Sequence, residues 1–390
     1  MTLFRLAWRN LIGAGTRTWL NVLVLSMSFV VIVWTQGMIE GMNAQARDAA
    51  TAAEYAGGQY WHAKYDPYDP FTLTDAHGPV PAELAALVSA GDATPVLVVQ
   101  GAIYSGGSMR PVLLKGTDPA QHVVNLPSRF LAADSAGLPA LIGSRMAVST
   151  GLGKGDEFTV QWRDAMGAFD ARDAQVVEVM TTTVPNIDFG QVWLPLDRLR
   201  EMTAMPDEAT VVTLRRGAAP VSAPAGWVFR DTDYLLSDLQ AIIKAKSASS
   251  SIFFVILLFL AMLAIFDTQV LSLFRRRKEM GTLMALGMTR GRIIVLFTLE
   301  GALHGVLAAV VGAVYGIPIL TYMARTGIGL PKLIDSMGFA IGQRLYSTYT
   351  PGLVIGTTLL VLVVTTIVSY LPTRRIARLK PTDALRGRWT

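Results

Sequence analysis

Four long stretches of the chain are almost free of charged residues, and a region of mixed composition separates the first from the second. The four stretches are residues 20–38, 250–274, 293–323 and 351–372. About 20 apolar residues in a helix cross the hydrocarbon core of a bilayer. Inside lipid, such a stretch satisfies its backbone hydrogen bonds only as a helix or in a closed barrel. The pattern therefore predicts four transmembrane helices.

The mixed region, residues 39–249, alternates between strand-like and helix-like patterns. Residues 157–163 are typical of the strand-like runs, and residues 196–205 of the helical ones. Strands mixed with short helices favour an α+β domain. Its two ends, residues 39–53 and 231–248, have helical composition. Both ends are therefore predicted to continue into membrane helices.

Three clusters of basic residues adjoin the apolar stretches, and these clusters indicate the orientation in the membrane. They occupy residues 1–19, the loop 275–292 and the tail 373–390. Cytoplasmic segments carry the excess of Lys and Arg, so both termini and the loop 275–292 are predicted to be cytoplasmic. Residues 39–249 and the loop 324–350 then lie outside. Models with three or five spans would separate the three clusters.

The first apolar stretch has an alternative interpretation as a cleaved signal peptide, because Ala44 and Ala46 resemble a cleavage site. The apolar run is long for a signal peptide, and polar residues separate it from these alanines by more than a normal cleavage region. A retained transmembrane helix is therefore favoured, with cleavage as the alternative.

Composition and motifs argue against an enzyme and against binding of nucleic acid. The chain is 52% hydrophobic and 16% charged, and its positive charge gathers beside the apolar stretches instead of on a folded domain. It contains no cysteine, no H-E-x-x-H, no G-x-S-x-G and no phosphate-binding loop; Gly151–Gly155 lacks the required Ser or Thr. No bound metal or cofactor is predicted, since the histidines share no ligand spacing. These are His62, His77, His122 and His304.

Three ionisable residues fall within the predicted spans, namely Asp267, Glu300 and His304. A charge at the bilayer centre costs about 2.5–3.5 kcal/mol on insertion scales, so each side chain should face protein or water. Glu300 and His304 are four residues apart and share a helix face. They could form a proton or cargo path, or a polar contact that locks helices near the cytoplasmic boundary; the second interpretation is favoured.

Two glycine pairs on the third stretch allow helix backbones to approach closely, because small residues four apart share one helix face. They are predicted to pack either within the bundle or at a dimer seam. The pairs are Gly301 with Gly305, and Gly312 with Gly316.

The loop between the second and third stretches contains a helix-forming block, residues 278–286, which ends at Gly287, a natural helix stop. A short helix on the cytoplasmic face is suited to dock on a partner protein. A basic anchor on the membrane surface is the alternative.

The motif R-x-K-E-x-G-x-L-x-A-L-G at residues 276–287, followed by L-E-G at 299–301, resembles the signature of the FtsX-like permease family. This family includes MacB-type and LolC/LolE-type subunits of ABC transporters. The tail from Pro372 to Arg386 and the start from Leu6 to Leu11 are similar to the family pattern as well. So is the segment 141–156, with its L-I-G and G-D motifs.

The resemblance implies a helical membrane protein of four transmembrane helices with an α+β, MacB-type periplasmic core domain, in the bacterial inner membrane. ATP would be hydrolysed by a separate cytoplasmic subunit, and the permease would couple this hydrolysis to motion of the outer domain. A second permease copy or a paralogue would complete the transporter. The coupling helix would contact the ATPase through Glu279, Met280, Leu283, Leu286 and Gly287.

The segment Gly57–Asp66 resembles the strand that follows the first span in LolC/LolE-type members. This resemblance favours release of lipoproteins from the inner membrane. MacB-like efflux of peptides or drugs with a periplasmic adaptor, and FtsX-like signalling to a cell-wall hydrolase, remain the alternatives.

Overall fold

The computed structural model describes residues 2–13, 15–133, 137–180, 185–329 and 344–376. By their internal contacts the residues form two compact units. Among the described residues, those of 2–43, 243–329 and 344–376 form the helical unit, and those of 44–242 form the sheet unit. Parts of the predicted loop 324–350 and tail 373–390 lie outside the described residues.

The longest helices coincide with the apolar stretches, and the shorter ones mostly connect strands of the sheet unit. In chain order the α-helices are α1 (Thr2–Gly13), α2 (Thr16–Ala50), α3 (Ala82–Ser89), α4 (Ser144–Thr150), α5 (Pro185–Gly190), α6 (Leu196–Thr203), α7 (Thr232–Leu235), α8 (Ser237–Arg275), α9 (Arg277–Ala285), α10 (Arg290–Thr326) and α11 (Pro351–Ile376).

The strands lie mainly in the sheet unit, and two short ones belong to the helical unit. In chain order they are β1 (Gln59–His62), β2 (Gly78–Pro79), β3 (Ala93–Ser105), β4 (Ser108–Thr117), β5 (Leu138–Gly143), β6 (Glu157–Arg163), β7 (Phe169–Met180), β8 (Gln191–Pro195), β9 (Glu208–Ala209), β10 (Val211–Leu214), β11 (Trp227–Arg230), β12 (Ile328–Gly329) and β13 (Arg344–Leu345).

Three helical segments among the described residues are long and apolar enough to cross a membrane, by length and composition. They are Val22–Tyr55, Arg290–Thr326 and Pro351–Arg374, and they contain most of the first, third and fourth apolar stretches. The second stretch lies inside α8, whose side chains are described only in part. Four transmembrane helices therefore stay a prediction.

α2 is much longer than its apolar stretch, because hydropathy marks only the part that lipid would cover. The helix continues through polar residues to Ala50 and then widens into a π-helical turn, Thr51–Tyr55. A π-turn inserts an extra residue into the helical ladder and is frequent at functional sites. α8 likewise begins at Ser237, well before its apolar part.

Nine strands of the described sheet unit form one mixed sheet, in the order β11-β1-β10-β3-β4-β8-β5-β7-β6. An additional β3–β6 pairing closes the strands from β3 to β6 into a ring. β3 pairs with β10 through its first residues and with β6 from Gly101 onwards. A Cβ atom at Gly101 would lie 2.8 Å from the backbone oxygen of Gln161, so the close approach there requires glycine.

The interior of this ring is the main hydrophobic core of the sheet unit. Leu97, Val99 and Ile103 alternate along β3 and are buried, as the two-residue period of a strand requires. Trp162 of β6 is also buried, and its indole N–H donates to the backbone oxygen of Met202 at 2.7 Å. Helices and strands share one core, so the predicted α+β fold is confirmed.

Candidate functional site

α9 lies in the predicted loop and ends in a regular stop signal. Gly287 has a φ of +91°, a left-handed conformation that glycine adopts without a Cβ clash. Its N–H donates to the oxygen of Met284, and the N–H of Met288 donates to that of Leu283, each at 3.0 Å. These two bonds form a Schellman motif, and the Leu283 and Met288 side chains share its apolar cluster. The helix therefore ends where the sequence predicts.

One face of α9 is covered by the chain itself. Met280 is 1% exposed and clusters with Ile293 and Phe297 of α10. Leu283 and Met284 are half-buried against the same cluster. Met280 was expected to contact a partner, but the structure places it in the core, where it fixes α9 to α10. Leu283 packs against the same cluster and likewise helps to fix α9 to α10.

The opposite face of α9 is open. Glu279, Thr282 and Leu286 are exposed and follow the helical spacing that places them on one side. Leu286 is 79% exposed. Gly287 is exposed beside it. Three of the five predicted docking residues, Glu279, Leu286 and Gly287, therefore form a surface that another protein could cover.

Arg276, which the sequence analysis did not single out, links the helices around this face. Its Nε donates to Glu279 Oε2 at 2.8 Å, and its Nη1 donates to Glu300 Oε1. The guanidinium lies 5.0 Å from the ring centre of Phe297. Arg276 thus connects the end of α8, the first turn of α9 and the first third of α10. The available signals in the sequence were the basic run that contains Arg276 and the carboxylate of Glu300. The contact between these two residues depends on how α9 folds back onto α10.

The predicted intramembrane residues have different environments. Glu300 is buried at 7% exposure and pairs with Arg276. The ring Nδ1 of His304 lies 2.8 Å from the backbone oxygen of Glu300, so it donates to the main chain. Asp267 is exposed on α8. The described contacts of Glu300 fit a polar lock between helices.

The four predicted packing glycines are buried on α10, and three of them face helices of the same chain. A Cβ at Gly305 would lie 3.2 Å from Leu362 of α11. Cβ atoms at Gly312 and Gly316 would lie 3.2 Å from Phe29 and 2.8 Å from Val30 of α2. These contacts support packing within the bundle.

A further glycine pair, on α2, escaped the sequence analysis. Gly37 and Gly41 are four residues apart, and a Cβ at either would overlap the segment before α11. At Gly37 the overlap is with the Tyr349 ring, and at Gly41 with the backbone oxygen of Tyr346. The N–H of Thr348 donates to the oxygen of Gly37 at 2.9 Å. The small-x-x-x-small spacing was the available signal.

In the sheet unit, buried polar contacts hold strands and helix ends in place. Lys115 of β4 donates to Glu54 Oε1 at 2.6 Å, and its Nζ lies 5.2 Å from the Trp193 ring centre. Asp188 accepts from the Ser144 hydroxyl at 3.1 Å, at the start of α4. Burial raises the pKa of Asp188, although hydrogen bonds from Ser144 and Arg145 oppose this shift. In the part of the chain that the structure describes, no cluster of His, Asp and Glu could hold a metal ion.

Comparison with known proteins matches the region that contains this site. Residues 251–381 match the FtsX-like permease C-terminal family. An uncharacterized ABC transporter permease from Methanocaldococcus jannaschii is 30% identical over 169 residues, which cover 41% of this chain and 39% of that protein. The alignment thus spans about two-fifths of the curated relative.

Two solved structures resemble parts of the fold at low TM-scores. The periplasmic region of MacB from Actinobacillus actinomycetemcomitans gives a TM-score of 0.33 at 9% identity, covering 49% of this chain and 95% of that one. The extracellular domain of the noncanonic ABC-type transporter YknZ from Gram-positive bacteria gives 0.26 at 11% identity, covering 42% and 84%. The region that contains α9 and α10 is therefore similar to the C-terminal part of FtsX-like permeases.

Proposed function

We propose that the chain is the membrane-spanning permease subunit of an ABC transporter, and that a separate ATPase docks on the open face of α9. The observation that carries this proposal is the two-sidedness of α9. Met280 anchors one side in the core, whereas Leu286 on the other side is 79% exposed. A helix held firmly by its own chain can transmit force from a partner that covers its open face.

The proposal includes an arrangement in the membrane. Four helices would cross the bacterial inner membrane, with both termini and α9 in the cytoplasm, as the basic clusters predict. The sheet unit would then lie outside. α2 and α8 continue without a helical break beyond their apolar parts, so motion started at α9 could reach the outer region. A second permease, either a copy or a paralogue, would complete the assembly.

Replacing Leu286 with Asp tests the docking face. Burying a leucine side chain contributes about 2 kcal/mol, so the ATPase should bind roughly thirtyfold more weakly. The measurements are co-purification of the nucleotide-binding subunit and the ATPase rate of the complex. Val148→Asp is the matched control, because Val148 is an 87% exposed aliphatic residue in the sheet unit. Unchanged binding and ATPase rate in Leu286→Asp would refute docking at this face.

For the transported substrate we propose lipoproteins, released from the outer leaflet of the inner membrane. Support comes from the segment Gly57–Asp66, which resembles the LolC/LolE type and forms β1 directly after the π-helical turn. Depletion of the protein should leave lipoproteins in the inner membrane. Normal lipoprotein sorting with increased sensitivity to drugs or peptides would instead support MacB-like efflux. Normal sorting with defective cell-wall hydrolysis would support FtsX-like signalling.

A further inference from the structure

α1 packs one face against the same helices that hold the candidate docking site. Ala7 and Leu11 are 0% and 1% exposed and cluster with Leu296 and Leu303 of α10. Leu283 of α9 packs on the edge of this cluster. A force that displaces α1 would therefore act on the buried side of α9.

The remaining surface of α1 combines aromatic and basic side chains. Phe4 and Trp8, four residues apart, are 52% and 42% exposed. Arg5 and Arg9 have the same spacing and are exposed beside them. No Asp or Glu precedes Glu40 in the chain. The described part of this face therefore combines exposed aromatic rings with positive charge, and α1 carries no acidic residue.

This combination is suited to the headgroup region of a membrane that carries anionic lipid. Aromatic rings concentrate at the interface between hydrocarbon and water. Basic residues on an amphipathic helix add attraction to anionic headgroups. α1 ends at Gly13, α2 begins at Thr16, and the apolar membrane-crossing segment begins at Val22. So short a connection keeps α1 within reach of the bilayer surface, which favours lipid over a soluble protein as its partner.

We infer that the outer face of α1 binds anionic phospholipid, and that this binding fixes α9 in place through Leu283. Coupling to the ATPase would then depend on the charge of the membrane. The lipid site stands on the geometry of α1 alone, whereas the effect on coupling rests on the proposed function.

The natural absence of cysteine allows a direct test with a single label on the full chain. Leu6→Cys, at a 40% exposed position of α1, carries an NBD fluorophore in nanodiscs of phosphatidylcholine with increasing phosphatidylglycerol. The emission should shift to the blue and resist quenching by aqueous iodide as phosphatidylglycerol increases. The double variant Arg5→Gln with Arg9→Gln should need more phosphatidylglycerol than the parent for the same blue shift, by about fivefold for each arginine removed.

The matched control is the double variant Arg172→Gln with Arg198→Gln, which removes two exposed arginines from the sheet unit. Its NBD emission should respond to phosphatidylglycerol as that of the parent does. Emission that does not respond to phosphatidylglycerol, or an unchanged titration after loss of Arg5 and Arg9, would overturn the lipid site. Emission that shifts only after a soluble protein is added would do the same and indicate a protein partner.

The ATPase rate of the complex in the same nanodiscs separates this inference from the proposed function. It should rise with phosphatidylglycerol in the parent and respond less in Arg5→Gln with Arg9→Gln. A lipid-responsive label with a lipid-independent ATPase rate would overturn the effect on coupling. A lipid-responsive label on a chain that binds no ATPase would contradict the proposed function while the lipid site stands.

Discussion

Replacing Arg276 with Met should release α9 from α10 more strongly than replacing Glu300 with Gln. Glu300 is 7% exposed, so loss of Arg276 removes a cation that pairs with a buried carboxylate. Such a loss typically costs about 3–5 kcal/mol. The Arg276 side chain is 23% exposed and keeps its 2.8 Å contact with Glu279. Glu300→Gln therefore removes one charged hydrogen bond, worth about 1.5–3 kcal/mol.

Hydrogen exchange of the α9 backbone amides measures this difference in the full chain, because local opening exposes them to solvent. A gap of about 2 kcal/mol between the two variants corresponds to a roughly thirtyfold faster exchange in Arg276→Met. The control is Arg198→Met, which breaks a pair whose side chains are both 61% exposed. Exposed pairs of this kind contribute about 0.2–1 kcal/mol.

The test depends on which variant has the faster exchange of its α9 amides. If the α9 amides of Arg276→Met exchange no faster than those of Glu300→Gln, the argument from the pairing of a buried carboxylate is wrong. The charge-swapped double variant, Arg276→Glu with Glu300→Arg, should recover part of the protection of the α9 amides against hydrogen exchange. No recovery, with both single variants close to the parent, would show that the apolar contacts of α9 suffice.

Three further predictions concern packing and burial elsewhere in the chain. Gly41→Ala places a methyl group on the backbone oxygen of Tyr346, and this overlap should lower thermal stability by about 1–3 kcal/mol in a detergent melt. Glu54→Gln should destabilise more than Lys115→Met in the same melt, because the Lys115 side chain is 7% exposed and that of Glu54 is 18% exposed; equal effects would contradict the burial argument. Burial raises the pKa of Asp188, so its stabilising contribution is complete below the ordinary aspartate pKa and is lost as the pH rises. Relative to Asp188→Asn, the parent should therefore lose stability from about pH 4 upwards. A stability difference between the two proteins that stays constant with pH would refute this.

The elements that could be predicted are those with a strong local signal. The apolar stretches gave α2, α10 and α11, because lipid-facing helices are apolar all round. β6 coincides with the predicted strand 157–163, since its residues alternate between buried and exposed. The end of α9 at Gly287 followed from glycine alone.

The elements that escaped prediction depend on contacts between distant parts of the chain. All five residues of β8 are buried, so it lacks the alternation that identifies a strand from sequence. β5 pairs in parallel with β7 and antiparallel with β8, and neither pairing leaves a local mark in the sequence. Strands buried on both faces cannot be distinguished from short helical segments by period.

The candidate site shows the same limit. The pattern of α9 predicts an apolar face, but it does not say whether a partner or the chain itself covers that face. α10 covers Met280 and leaves Leu286 open. The contact between Arg276 and Glu300 joins residues far apart in sequence, and only the fold of α9 onto α10 brings them together.

The most direct test of the account is photo-crosslinking from the two faces of α9 in living cells. A benzoylphenylalanine at position 286 should crosslink to a separate nucleotide-binding protein, because Leu286 lies on the open face. The same residue at position 280 should give no such product, because Met280 is 1% exposed within the chain. A nucleotide-binding partner captured from position 286 alone is the predicted result; no partner from position 286, in cells where the protein is functional, would contradict the account.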